Sequence, residues 1–174
     1  MNILEKFKPI KMIAMDMDGV LTDGKLWIMP SLDWVRSMNI KDGYALQLAV
    51  KKGYHVVVIS GAADTGAIQN RMKELGVKDV NMGVKDKATL LKNKMVHYGV
   101  STEQVLFIGD DIPDYEVMKS VGLACCPADA VSDIIQIADY ISPNKGGEGC
   151  VRDVMEKVLK LNGHWDLHSE ISSK

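Results

Sequence analysis

The chain has 174 residues, 47% of them hydrophobic and 25% charged, with 21 Lys and Arg against 23 Asp and Glu for a formal charge of −2. That length suits a single α/β domain with a sizeable buried core. The near balance of charge excludes a basic surface for nucleic acid or an acidic membrane, and points to a small, soluble partner.

In chain order, the N-terminal MNILEKFKPIKM lacks the long apolar run of a signal peptide, and no later stretch is long enough to span a bilayer. The expected location is the cytoplasm. Met12–Met15 reads as a first buried strand, followed by the acidic loop Asp16–Asp23. Lys25–Met29 and Trp34–Met38 read as a β-hairpin turning through Pro30-Ser31-Leu32-Asp33. Its two tryptophans and several aliphatics put apolar groups on both faces, which a partner subunit would cover. A helix over Gly43–Lys52 follows, then a strand at Val56–Ile59, a helix over Thr65–Leu75 and a short strand near Asp79–Met82. Next come a helix over Lys87–His97, a strand at Val105–Ile108 and a helix over Tyr115–Val121. Short strands near Leu123–Ala124 and Tyr140–Ile141 and a helix over Val151–Leu161 complete the pattern, leaving a tail from about 162 to 174. Apolar runs alternating with helical patterns predict one domain over residues 1–174. It is α/β, a three-layer Rossmann-like parallel sheet carrying a hairpin insertion at about 25–38. Cys125, Cys126 and Cys150 lack metal-ligand spacing, and an odd count does not build a disulfide framework.

Ligands in such sheets sit beyond the carboxyl ends of the strands. Asp16-Met17-Asp18-Gly19 after the first strand, Ser60-Gly61 after the second and Gly109-Asp110-Asp111 after the third should therefore converge. Phosphoryl transfer needs a nucleophile, an acid for the leaving oxygen, and positive charge against phosphate repulsion. Asp16 and Asp18, two residues apart, can supply the first two. A carboxylate attacking phosphorus must be screened from its anionic substrate, which calls for a hard cation with oxygen ligands; Mg2+ is the natural choice. Asp110 and Asp111 would complete its cage, and Gly19 would leave room for phosphate against the loop amides. A calcium loop would need a glycine at its sixth position, a glutamate at its twelfth and flanking helices, whereas this loop follows a strand. Ser60 and Lys87, each at an element boundary, can hold the transferring phosphate; alone, either reads equally as a turn hydroxyl or a solvated lysine.

In this order, Asp-x-Asp, Ser-Gly, Lys and Gly-Asp-Asp with Asp114 nearby form the signature of the haloacid dehalogenase superfamily, which the chain resembles. Within it, four stretches are similar to the 3-deoxy-D-manno-octulosonate 8-phosphate phosphatases, a capless, tetrameric family of lipopolysaccharide sugar synthesis. They are Asp16–Gly24, Asn39–Tyr44, Gly109–Asp114 and Gly146–Arg152. The resemblance implies a haloacid dehalogenase fold without a cap domain and a homotetramer acting on a sugar-acid phosphate through an aspartyl-phosphate intermediate. It makes Asp16 nucleophile and metal ligand, Asp18 acid and base with its backbone carbonyl on the metal, and Asp110 the remaining ligand. Asp111 and Asp114 would orient these groups. It further implies that Asp18, Asn39, Ile40, Lys41, Asp42, Gly43, Arg71 and Lys87 touch substrate, Arg71 at its own or a neighbour's site. The hairpin and tail would close a neighbouring site, Gly146-Gly147 giving the tail freedom to bend.

Two departures bear on substrate: Ala62 and Gln47 stand where this family commonly has arginine. A nonulosonate 9-phosphate is therefore the alternative substrate. Of rivals from other classes, a phosphoacceptor signalling domain would lack an acid two residues beyond its nucleophile, and an idle α/β binding subunit would have lost an essential group. Asp16, Asp18, Ser60, Lys87 and Asp110 are all present. His55, His97, His164 and His168 have no ligand spacing and take no role, and Trp165 either packs or leans over a neighbouring site.

Overall fold

The computed structural model describes residues 2–31 and 34–172. A single 3₁₀ turn, Ile3–Phe7, precedes β1 (Met12–Met15), which leads into the short strands β2 (Trp27–Ile28) and β3 (Trp34–Val35). There follow α1 (Ile40–Lys51), β4 (His55–Ile59), α2 (Ala67–Glu74), β5 (Asp79–Asn81), α3 (Lys87–Tyr98) and β6 (Val105–Ile108). The chain ends through α4 (Tyr115–Lys119), β7 (Leu123–Cys126), α5 (Ser132–Ile137), β8 (Tyr140–Ile141) and α6 (Cys150–Leu161).

Six strands form one parallel sheet in the order β5-β4-β1-β6-β7-β8. Successive strand residues point to opposite faces, so apolar runs without alternation need a cover on both sides. Ile13, Met15, Val58, Leu106 and Ile108 pack beneath α1, α2 and α6, while Met12, Ala14, Val57, Ile59 and Phe107 pack against α3, α4 and α5. The result is three layers. Sequential strands run outward from β1 in one direction, then restart on its other side at β6, and this reversal opens a crevice beyond the carboxyl ends of β1, β4 and β6.

Several boundaries move for local reasons. The helix expected from Gly43 begins at Ile40, because the Asn39 side chain accepts from the Lys41 amide (2.8 Å) and caps it. The helix expected from Thr65 begins at Ala67, after Gly66 at φ +72°. Strand β7 extends two residues further than expected and takes in the buried, free Cys125 and Cys126. The turn Ile3–Phe7 and helix α5 were not anticipated. The hairpin is paired more narrowly than the sequence suggested, Trp27 with Val35 and Ile28 with Trp34; Leu32 and Asp33 of its expected turn lie outside the described residues. None of the described helices is long and apolar enough to cross a membrane.

Candidate active site

Three strand ends and one helix start assemble the site. Asp16 leaves β1 with its amide still donating to the Ile108 carbonyl (3.0 Å), and Ser60 leaves β4 donating to the Asn81 carbonyl (2.9 Å). Lys87 is the first residue of α3, placed by the cap that Asp86 makes to the Thr89 amide (3.0 Å). Asp110 follows β6. These residues line one cleft of about 320 Å³ together with Asp18, Gly61, Ala62, Asp111 and Pro113.

At its floor, Lys87 Nζ lies 2.8 Å from Asp16 Oδ2 and 2.7 Å from Asp114 Oδ1. Asp114 also accepts from the Asp110 amide through Oδ2 (3.0 Å), so both its oxygens are engaged. Asp16 Oδ1 accepts from the Met17 amide (2.6 Å). The Asp110 Oδ1 atom, by contrast, is buried without a hydrogen-bond partner. Burial raises the Asp16 carboxyl to about 6, helped by the charge of Asp114 and opposed by Lys87. Burial likewise raises Asp110 to about 8, with Asp114, Asp16 and Asp111 adding like charge. For Lys87, burial works against the ammonium, but Asp114 and Asp16 outweigh it and its pKa is raised.

Oxygen atoms from Asp16, Asp110 and Asp114 lie within 4.8 Å of one another. An orphaned buried carboxylate oxygen, two carboxyls raised chiefly by burial and further by neighbouring acids, and an all-oxygen donor set fit a hard divalent cation. Asp114 is the least suited of the three to bind it directly, since it is fully buried and, unlike Asp16 and Asp110, lines no part of the cleft. Asp16 and Asp110 remain.

Against known proteins, residues 76–153 match the family model for haloacid dehalogenase-like hydrolases. The chain is 30% identical over 165 residues to the 3-deoxy-D-manno-octulosonate 8-phosphate phosphatase of Escherichia coli K12, covering 95% of this chain and 87% of that one. The chain belongs to this family of haloacid dehalogenase-type phosphatases. The structure of the octulosonate 8-phosphate phosphatase from Yersinia pestis superposes with a TM-score of 0.90 at 28% identity, over 93% of this chain and 87% of that one. The Moraxella catarrhalis enzyme, solved with magnesium, phosphate and KDO, gives 0.89 at 31% identity over 92% of each chain.

Other features of this phosphatase differ from expectation. Gly19, at φ +86°, makes room for Asp110, because a Cβ there would stand 1.9 Å from Asp110 Oδ2. Gly146 and Gly147 are not a free hinge: a Cβ on Gly146 would meet the Gly19 carbonyl oxygen at 1.8 Å, and the Gly147 amide donates to the Val20 carbonyl (3.0 Å). They are packed against the acidic loop. The tail folds onto its own chain, with Tyr44 Oη 2.6 Å from Ser169 Oγ, Gln47 donating to the Ser172 carbonyl, and Trp165 edge-on to Tyr44 with Arg152 over both rings.

Within one chain, Asn39–Gly43 forms none of the cleft wall. Asp42 is buried, its Oδ1 accepting from the Arg152 amide at the start of α6 (2.7 Å), and burial raises its carboxyl to about 6. Gly43 is buried because Arg71 lies over it, 3.2 Å from where a Cβ would stand. Ile40 and Lys41 are exposed. Arg71 lines a second cavity of about 440 Å³ beside the cleft, together with Arg36. Arg36 was not foreseen, since as one polar residue in an apolar hairpin it reads as a solvated cation. Its Nε and Nη2 in fact donate to Asp18 Oδ1 and Oδ2 at 2.7 and 3.1 Å.

Proposed function

We propose that the chain is a magnesium-dependent phosphatase, working as one capless domain. It removes phosphate from 3-deoxy-D-manno-octulosonate 8-phosphate in lipopolysaccharide precursor synthesis. The observation that carries this is the Asp16–Lys87–Asp114 cluster facing the orphaned Asp110 oxygen, in a chain of this family. In the first half-reaction Asp16 attacks phosphorus, and Lys87 and the Ser60 hydroxyl hold the transferring group. Asp18 gives its proton to the departing sugar oxygen. In the second, Asp18 takes a proton from water as its oxygen attacks the Asp16 phosphate, releasing inorganic phosphate and restoring both carboxyls. Asp16, Asp110 and the Asp18 carbonyl would hold magnesium, which when bound would offset the charge between nucleophile and phosphate.

Asn39, Ile40, Lys41, Asp42 and Gly43 are read as the sugar-facing segment, with Ile40 and Lys41 the exposed members. Because this segment lies off its own cleft, its contact with sugar is assigned to a neighbouring subunit. A homotetramer in the cytoplasm is part of the same reading, supported by the uncovered apolar hairpin. The Asp16→Asn and Asp18→Asn variants are expected to abolish magnesium-dependent phosphate release, and full activity in Asp16→Asn refutes the proposal. Ala62, and a Gln47 tied to the tail, keep nonulosonate 9-phosphate as a second reading; comparison of kcat/KM for the two sugar acids decides between them.

A further inference from the structure

Arg36 follows β3 at the foot of the hairpin with its side chain turned inward, only 8% exposed. Its fork engages both carboxylate oxygens of Asp18, and the Thr22 hydroxyl adds a third, longer bond to Oδ1 (3.3 Å). While the guanidinium engages both oxygens, Asp18 still lines the cleft but is tethered to the hairpin, and it cannot turn toward a leaving sugar oxygen or an attacking water without breaking a charge-assisted bond. An arginine that holds a general acid in this way has to let go during turnover. A planar two-donor fork exchanges most readily onto another planar carboxylate, whose geometry matches the one it leaves.

The surroundings fit such an exchange. The 440 Å³ cavity that Arg36 lines contains a second guanidinium, Arg71, and apolar walls from Trp34, Met38 and Ile68. It adjoins the phosphate cleft across the acidic loop, Met17 and Thr22 walling one cavity while Asp16 and Asp18 wall the other. A molecule with its phosphate on Asp16 can lay its far end there. Ala62 and Gln47 remove two cations from positions where this family commonly has them, and Arg36 offers one from the hairpin instead.

We infer that Arg36 is a specificity-determining residue: the substrate's own carboxylate replaces Asp18 on the Arg36 guanidinium and thereby frees Asp18 to bind a proton from solvent and pass it to the leaving oxygen. The inference rests on the sugar-acid phosphatase reading given above. Recognition of the acid and release of the acid–base group then become one event. A phosphate ester without a carboxylate leaves the pair closed and turns over slowly.

The test compares octulosonate 8-phosphate with glucose 6-phosphate, which lacks a carboxylate, in the full-length wild type and in Arg36→Met. In the variant, kcat/KM for the sugar acid should fall about 30-fold, chiefly in KM, and inhibition by free octulosonate should weaken about 10-fold. For glucose 6-phosphate, kcat should rise about 3-fold, because nothing then holds Asp18. Arg36→Lys, a single-point donor, should restore part of the selectivity for the acid. A parallel loss on both substrates in the Met and Lys variants gives Arg36 a merely structural role and overturns the inference, as does an unchanged selectivity ratio. A wild type with no preference for octulosonate 8-phosphate overturns the substrate reading itself and the inference with it, so the two failures are told apart.

Discussion

Lys87 and Asp114 form a buried ion pair, Nζ to Oδ1 2.7 Å, and the same ammonium reaches Asp16 at 2.8 Å. One cation thus reaches the proposed nucleophile and compensates a carboxylate with no exposure of its own. Removing one member of a buried pair costs more than the pair contributes, because the remaining charge is stranded. Lys87→Met is therefore expected to lower stability by about 3–5 kcal/mol in urea unfolding and to cut turnover by about 100-fold or more. Adding Asp114→Asn, which removes the stranded charge, should recover part of the stability but not the turnover. A Lys87→Met protein as stable as wild type would speak against this account.

Gly19 and Gly53 share φ +86°, yet their surroundings differ: nothing lies within 4 Å of a Cβ on Gly53, while one on Gly19 meets the Asp110 carboxylate. Gly53→Ala isolates backbone strain and should cost about 1–2 kcal/mol. Gly19→Ala adds displacement of Asp110 and should cost more, with weaker magnesium binding in a calorimetric titration. Equal melting temperatures and equal magnesium affinity for the two variants would contradict the assignment of that space to Asp110.

The raised carboxyls set a pH dependence for the metal-free protein. Asp16 at about 6 and Asp110 at about 8 keep protons that the unfolded chain, with its ordinary value of 3.8, has already lost. Their contribution to stability is therefore complete below about pH 4 and declines as pH rises toward 8. Asp42, at about 6, adds to the same decline. Chelated protein should melt lower at pH 8 than at pH 5, and magnesium should remove most of the difference. Binding at pH 7 should release about one proton per ion, chiefly from Asp110, measurable by titration in buffers of different ionisation enthalpy. No proton release would place the cation elsewhere.

What the sequence disclosed was what it encodes locally. Met12–Met15 and Val105–Ile108 are apolar on both faces and bounded by polar residues, so their limits could be read directly, as could the order of Asp16, Ser60, Lys87 and Asp110 at element ends. Ser132–Ile137 is too short to display a helical period, and Gly43 hid the start of α1 although Asn39 supplies the cap. The need for glycine at 19 and 146 was legible, but not what fills the space. The Asp110 carboxylate and the Gly19 carbonyl arrive there only through the fold. Arg36 is the same case: its partner is 18 residues away, and only the return of the hairpin brings the two together.

The hairpin that carries Arg36 also supplies the last prediction. Trp27 and Val35 are paired across it, as are Ile28 and Trp34, and neighbouring strand residues face opposite ways, so each pair presents an apolar face. Trp27 is 69% exposed, Ile28 77% and Trp34 55%. A two-stranded ribbon is marginally stable in water by itself, and covering a large apolar side chain contributes about 2 kcal/mol, so association through both faces stabilises the hairpin and the assembly together. Replacing Trp27 and Ile28 by Asp puts a charge on each face. Sedimentation velocity should then show a tetramer for wild type and a smaller species for the double variant. Activity toward octulosonate 8-phosphate should fall with assembly, because the hairpin would no longer hold Arg36 where the substrate carboxylate reaches it. A double variant that stays tetrameric, or a wild type that sediments as a monomer at assay concentration, removes the hairpin as the assembly element.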